Sequence, residues 1–205
     1  MICAPIILLA IDPAAVSGWA TFIRGEYRAS GIATTMVDRA DVLRDAVFLS
    51  QTLDLPLIVI AESWTFGGSG KDPRATAAMQ AGLMSKWGLW EAAIEESRAS
   101  NAIKVVRVNS RRWQSSVLTR LRVNSATLKQ IAKHSASNIA RHPIEDENEA
   151  DAICIGFYGS IAPEVVAKVS IAEGRRLGID VTAARERVKA EKQMKRAAKA
   201  RRRAA

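Results

Sequence analysis

Two cysteines in 205 residues, Cys3 and Cys154, give this chain no disulfide framework and none of the paired thiol spacings of a zinc site. One stands near the N terminus and the other in an apolar helical pattern, so both are expected to be chemically quiet. Long apolar runs are equally scarce. The run Ile6–Ile11 is too short to cross a bilayer, has no basic residue ahead of it and stops at Asp12, so neither a membrane span nor a secretory signal is expected, and the expected location is cytoplasmic. A phosphate-binding P-loop is also missing. Gly67-Gly68-Ser69-Gly70-Lys71 is glycine-rich, but the spacing and the setting between strand and helix are not reproduced, which excludes a P-loop NTPase. A sugar kinase-like ATPase would need a second phosphate-binding hairpin and a much longer chain.

Acidic residues are nearly absent from the C-terminal stretch. Residues 181–205 hold ten Lys or Arg against Glu186 and Glu191, which accounts for +8 of the net charge of +9 and leaves +1 for residues 1–180. The basicity therefore belongs to an arm. Such an arm, with Arg201, Arg202 and Arg203 at its end, either binds polyanions without sequence preference or is simply a solvated helical terminus. With 48% hydrophobic residues, the remainder is long enough for one full core.

What is present is organised around Ile6-Ile7-Leu8-Leu9-Ala10-Ile11-Asp12-Pro13. Six apolar residues without a polar break predict a strand covered on both faces, and Pro13 takes the chain out of the sheet. Asp12 at that exit is either a turn or capping residue or a ligand for a hard cation. Residues 17–24 and 27–33 predict two further strands, the first folding back beside the opening one. Met36, Ala40, Leu43 and Val47 recur at helical spacing, with Asp38, Arg39, Asp41, Arg44 and Asp45 on the polar side. Leu57–Ala61 is a second buried strand, and it too ends in an acid, Glu62. After the aromatics Trp64 and Phe66 and the glycine loop, Met79, Leu83, Trp87, Trp90 and Ile94 mark a long helix. Ile103–Val108 predicts a strand, and Ser110–Leu118 a helix carrying Arg111, Arg112 and Trp113. Asn124 or Ser125 caps a helix with Leu128, Ile131, Ser135 and Ile139 inward. In Glu145-Asp146-Glu147-Asn148-Glu149-Ala150-Asp151, acids crowd the first turn of another helix, where its dipole favours them. Asp151 is not explained that way, because it stands deeper in the helix beside the apolar stripe, with Asn148 and Glu147 one turn before it.

Three antiparallel strands, a helix, a strand, a long helix, a strand and closing helices follow the order of a ribonuclease H-like α/β fold, a mixed five-stranded sheet flanked by helices, here with a basic helical C-terminal tail. Within that superfamily the chain resembles RuvC-type Holliday junction resolvases of the compact bacteriophage kind. The resemblance rests on Ala10-Ile11-Asp12-Pro13, Gly18-Trp19, Ile58-Val59-Ile60-Ala61-Glu62 and Asn148-Glu149-Ala150-Asp151-Ala152, and spans about residues 5–160. It implies a nuclease domain over 1–162 and a basic helical extension over 163–205. It also implies a crossover junction endodeoxyribonuclease, a homodimer that nicks four-way DNA junctions with two Mg²⁺ ions (Mn²⁺ substituting) in its own or, if phage-encoded, the host's cytoplasm. Asp12, Glu62 and Asp151 match metal ligands. The family commonly places an aspartate where this chain has Asn148, so either Asn148 or Glu147 is the expected fourth ligand. Lys129 either corresponds to a lysine that the resemblance places near the scissile phosphate or is a solvated helix lysine. Trp64 and Phe66 are candidates for entering an open junction, and Lys71, Arg111 and Arg112 for contacting DNA. The alternatives are a related nuclease acting on RNA:DNA hybrid or flaps, and a non-catalytic DNA-binding protein of the same fold.

Overall fold

The computed structural model describes residues 4–63, 73–97, 103–118 and 123–204, with the backbone alone for 73–84, 199 and 202–204. Five strands, β1 (Ile7–Asp12), β2 (Ser17–Ile23), β3 (Glu26–Ala33), β4 (Leu57–Ser63) and β5 (Lys104–Asn109), form one sheet in the order β3-β2-β1-β4-β5. The first three are antiparallel, and β4 and β5 run parallel to β1. This is the ribonuclease H-like arrangement expected from the element order. Helices α1 (Met36–Leu53) and α2 (Pro73–Ser97) follow β3 and β4. Helices α3 (Ser110–Val117), α4 (Ser125–Ala140), α5 (Glu147–Ile161), α6 (Pro163–Val166), α7 (Ile171–Leu177) and α8 (Val181–Ala204) follow β5. Among the described residues no helix is long and apolar enough to cross a membrane.

The alternation of side chains along a strand divides the core in two. Leu8, Ala10, Ile58, Ile60, Val106 and Val108 face α5, together with Trp113 of α3. Ile7, Leu9, Ile11, Leu57, Val59 and Ala61 face the other way, against Leu43 and Val47 of α1 and Trp87, Trp90 and Ile94 of α2. Both layers are therefore covered, which is why β1 and β4 read as unbroken apolar runs. Val165 of α6, Val169 of the bend between α6 and α7, and Val181 of α8 join the α5-side layer.

Close approach of α5 to the sheet requires small residues. A Cβ on Gly18 would lie 1.8 Å from the Asn148 carbonyl oxygen, and one on Gly156 would lie 2.2 Å from the Phe22 ring. Gly18 is the residue paired with Asp12 across β1 and β2, so the start of α5 rests directly over the end of β1. Backbone cannot yield as a side-chain tip can. Gly18→Ala is expected to lower stability by about 1–3 kcal/mol, the usual cost of overpacking, measured as a drop in urea midpoint at unchanged slope.

Two expectations are corrected. Arg39, placed on the polar side of α1, is 1% exposed. Its guanidinium finds backbone acceptors beneath the sheet: Nη1 donates to the Thr35 carbonyl at 2.8 Å and Nη2 to the Ala15 carbonyl at 3.1 Å. In α4 the buried positions are Ala132 and Ala136; Ile139 packs partly buried against the same core, while Leu128, Ile131 and Ser135 are only half-buried. The small side chains let α4 lie close on α5, where the Cys154 thiol reaches the Ala132 carbonyl at 3.7 Å.

Candidate active site

The carboxylates of β1 and β4 share a face because they continue the even-numbered residues that meet α5. Parallel register pairs Ile11 with Ala61, which brings Asp12 and Glu62 level on neighbouring strands, about 4.8 Å apart in backbone. Asp151 faces them from α5. Its helix starts at a fixed place because Asp146 is the N-cap, accepting the N–H groups of Asn148 and Glu149 at 2.8 and 2.9 Å.

Asp12 is 8% exposed. Burial drives its pKa well above the usual carboxylate range, and the charges of Asp151, Glu62 and Asp146 push the same way, with Lys86 opposing. The apolar neighbours explain how such a group stays buried. Leu8, Leu9 and Ile11 each contribute about 1.5–3 kcal/mol by burial, enough to offset the cost of carrying one aspartate in with them. Asp151 is pushed up to about 7, by burial first and then by Glu62. Glu62 is raised by burial, while hydrogen bonds from Trp113 and Ser110 work against the rise. The Trp113 Nε1 donates to Glu62 Oε2 at 2.9 Å, and its ring is fully buried. One Glu62 oxygen is thereby oriented.

Three acids thus meet at one end of the sheet with their like charges mainly uncompensated. Among the described residues no three acidic, histidine or cysteine side chains stand grouped so that they could hold a metal ion as they are placed. The donor set nonetheless fits a hard divalent cation, since it is all oxygen, anionic and poorly solvated. Such a cation would favour the ionised form of all three, offsetting the burial that raises each and the repulsion that adds to it at Asp12 and Asp151.

The other candidate residues fall into three groups. Lys129 joins the rim of the site: it pairs with Glu147, and its charge also reaches Asp151. Asn148 lies at the contact with Gly18, beside Asp12. Glu149 turns away, accepting a hydrogen bond from Ser30 Oγ at 2.6 Å on β3. Arg112 lies on α3 and is committed to Glu191 at 2.6 Å and Glu164 at 3.3 Å, while Arg111 is on the same helix without an ion pair among the described residues. Arg201 is exposed on α8, and Arg202 and Arg203 belong to the same helix. Trp64, Phe66 and Lys71 lie outside the described residues.

Sequence reasoning missed the supports. Trp113 carried no signal beyond being an aromatic near two arginines. Arg39 was hidden among charged neighbours, yet with Trp90 it braces the turn after Asp12: the Trp90 Nε1 donates to Ser17 Oγ at 3.1 Å, and that hydroxyl donates to the Ala14 carbonyl at 2.7 Å. The Arg39 carbon Cζ lies 5.8 Å from the Trp90 ring centroid.

Compared with known proteins, the sequence matches no family model and no curated protein. Among solved structures the chain is similar to Thermus thermophilus RuvC in complex with a Holliday junction substrate, at 12% identity and a TM-score of 0.48, over 75% of this chain and 94% of that one. It is similar to T. thermophilus RuvC determined alone, at 12% identity and TM-score 0.45, over 75% of this chain and 95% of the other. The yeast mitochondrial Holliday junction resolvase Ydc2 aligns at 12% identity and TM-score 0.38, over 77% of this chain and 78% of its own.

Proposed function

We propose that this chain is a Mg²⁺-dependent endonuclease that makes paired nicks in branched DNA, four-way junctions foremost, as a homodimer. The observation that carries the reading is the meeting of Asp12, Glu62 and Asp151, from β1, β4 and α5, at one end of the sheet with their charges mainly uncompensated. A purely DNA-binding protein gains nothing from buried acids facing a phosphate backbone, since they repel it. Residues 1–162 are the nuclease body in this reading and 163–205 its basic extension.

When bound, two divalent ions supply an activated water and charge stabilisation for the leaving oxygen of a phosphodiester. Asp12, Glu62 and Asp151 would hold them. Trp113 keeps Glu62 turned toward the site, and the Arg39–Ser17–Trp90 contacts keep the turn after Asp12 in place. Lys129, at the rim, would meet a phosphate that displaces Glu147 from its ammonium. The test is incubation of purified protein with synthetic linear duplex, RNA:DNA hybrid, flap and four-way junction, with and without Mg²⁺. Symmetric nicks in the junction alone are expected. Cutting of the hybrid or flap in preference would transfer the activity to the related nucleases, and no cutting of any substrate would reject the nuclease reading.

The fourth ligand is open to a direct test. Glu147 is partly neutralised by Lys129, which favours Asn148 as the residue nearer the ions. Asn148→Asp is then expected to lower the Mg²⁺ concentration for half-maximal cleavage by about threefold to tenfold, and Asn148→Ala to raise it, on the scale of a tuned metal-site contact. A larger loss in Glu147→Gln than in Asn148→Ala would give the place to Glu147.

A further inference from the structure

A groove of about 890 Å³ lies along β5, the edge strand of the sheet, between β5 and α3 on one side and α6 and α8 on the other. Val105, Val106 and Val108 line it, and Ser63 and Asn109, a pair in register, mark one end. Ser63 directly follows Glu62. This end of the groove therefore lies at the same end of the sheet as the carboxylates.

Among the described residues its lining is strongly one-sided in charge, with six Lys or Arg side chains and one acid, Glu164. Three of the cations are spent within the protein. Arg112 pairs with Glu164 and Glu191, Lys195 with Glu191 at 2.7 Å, and Arg107 with Glu91 at 2.6 Å while lying 4.4 Å from the Trp87 ring centroid. These pairs hold the walls, and the Glu191–Arg112 contact ties α8 to α3. Arg111, Lys168 and Lys192 have no ion pair among the described residues and come from α3, the turn after α6, and α8, around one cavity. Three uncommitted cations over an apolar floor are poorly explained as internal support, since each stays solvated with nothing to neutralise it.

We propose that this groove binds a single strand of DNA, with Arg111, Lys168 and Lys192 on its phosphates, and leads that strand to or from the carboxylates. Its volume takes a few nucleotides of one strand, whereas a duplex, whose major groove alone is about 12 Å wide, is too thick for it. The first half of α8 is then a wall of the binding site, fixed to the body by Glu191 and by Arg185, which donates to the Val169 carbonyl at 3.2 Å. Its role as a route to the carboxylates rests on the nuclease reading. Binding of the strand does not.

The experiment measures binding of a fluorescent oligo-dT to metal-free, full-length protein over a salt series. At 0.1 M salt each phosphate contact in a single strand is worth about fivefold, so the combined Arg111→Ala, Lys168→Ala, Lys192→Ala variant is expected to bind about 100-fold more weakly, with the salt slope reduced by about 2. A charge-matched control, Arg24→Asn with Arg28→Ala and Arg44→Ala, removes as many cations from the β2–β3 turn, β3 and α1, and is expected to weaken binding less than about threefold. Lys192→Glu alone, on an exposed position of α8, is a second variant and should weaken binding by about fivefold or more. Equal losses in groove and control variants, or an unchanged salt slope in the groove variants, would overturn the proposal. Poly-glutamate competing as well as oligo-dT of equal charge would also overturn it, making the groove a general polyanion surface. If wild-type protein cuts no DNA yet the groove variants lose oligo-dT as expected, the nuclease reading fails and the groove stands. If cleavage depends on Asp12 but oligo-dT binding ignores the groove, the reverse holds.

Discussion

Asp12→Asn is expected to reduce junction cleavage by about a thousandfold or more while making the metal-free protein more stable at neutral pH. The two effects have one cause. Asp12 is buried among like charges, so as a carboxylate it is useful only when a cation is beside it. Loss of a residue that merely supports a metal ligand typically costs 10–100-fold, and loss of a direct anionic ligand costs more, hence the figure of about 10³. In the metal-free protein the same substitution removes a buried charge and its repulsion from Asp151, Glu62 and Asp146, at nearly constant shape. A gain of about 1–3 kcal/mol follows, which for a chain of this size raises the melting temperature by several degrees. Junction binding should be kept or strengthened, since repulsion of phosphate also falls. Cleavage at the wild-type rate would remove Asp12 from the site. A fall in metal-free stability would mean that its carboxylate is compensated rather than repelled.

Mg²⁺ is expected to stabilise the protein strongly at pH 8 and little at pH 5. Asp151 is raised from the ordinary aspartate value near 4 to about 7, and Asp12 and Glu62 are raised as well. In the window between those values the folded state holds more protons than the unfolded state, so metal-free stability is fully present below about pH 4 and is lost as pH rises toward about 7. At about 1.4 kcal/mol for each pH unit, Asp151 alone makes this loss at most on the order of 4 kcal/mol. A bound cation reverses it by favouring the ionised carboxylates. At pH 5 the ion must displace protons and gains less. Melting temperatures with EDTA and with saturating Mg²⁺ across pH 5–8 read the effect directly. A Mg²⁺ increment that does not grow with pH would separate the ion from these carboxylates.

The fold was legible in advance because burial on both faces leaves a plain trace in a sequence. β1 and β4 are unbroken apolar runs, and their ends carry the acids. α5 was marked by acids at its first turn and by Asp151 standing where the dipole does not account for it. Less legible was which way a polar residue on an amphipathic helix would turn. Arg39 looks like its neighbours Asp38 and Asp41 in sequence, and only the turn at Ala14–Ser17, brought under α1 by the sheet, supplies the carbonyl that draws it inward. Likewise, the small residues Ala132 and Ala136 won the buried face of α4 over its larger ones, because helix-to-helix distance and not hydrophobicity decided the contact.

By itself the sequence determined which segments are strands, that two of them end in carboxylates, that a third acid lies one turn into a late helix, and where the positive charge is stored. These depend on local period and composition, which each segment carries alone. Only the tertiary structure decided what those groups meet. Trp113 reaches Glu62 across 51 positions, and Arg112 reaches Glu191 across 79. Whether such groups touch depends on how the helices sit on the sheet, and that placement follows from packing the entire α5-side layer at once. The raised pKa values have the same origin, because desolvation and repulsion act between groups on β1, β4 and α5 that become neighbours only when the sheet is closed over by α5.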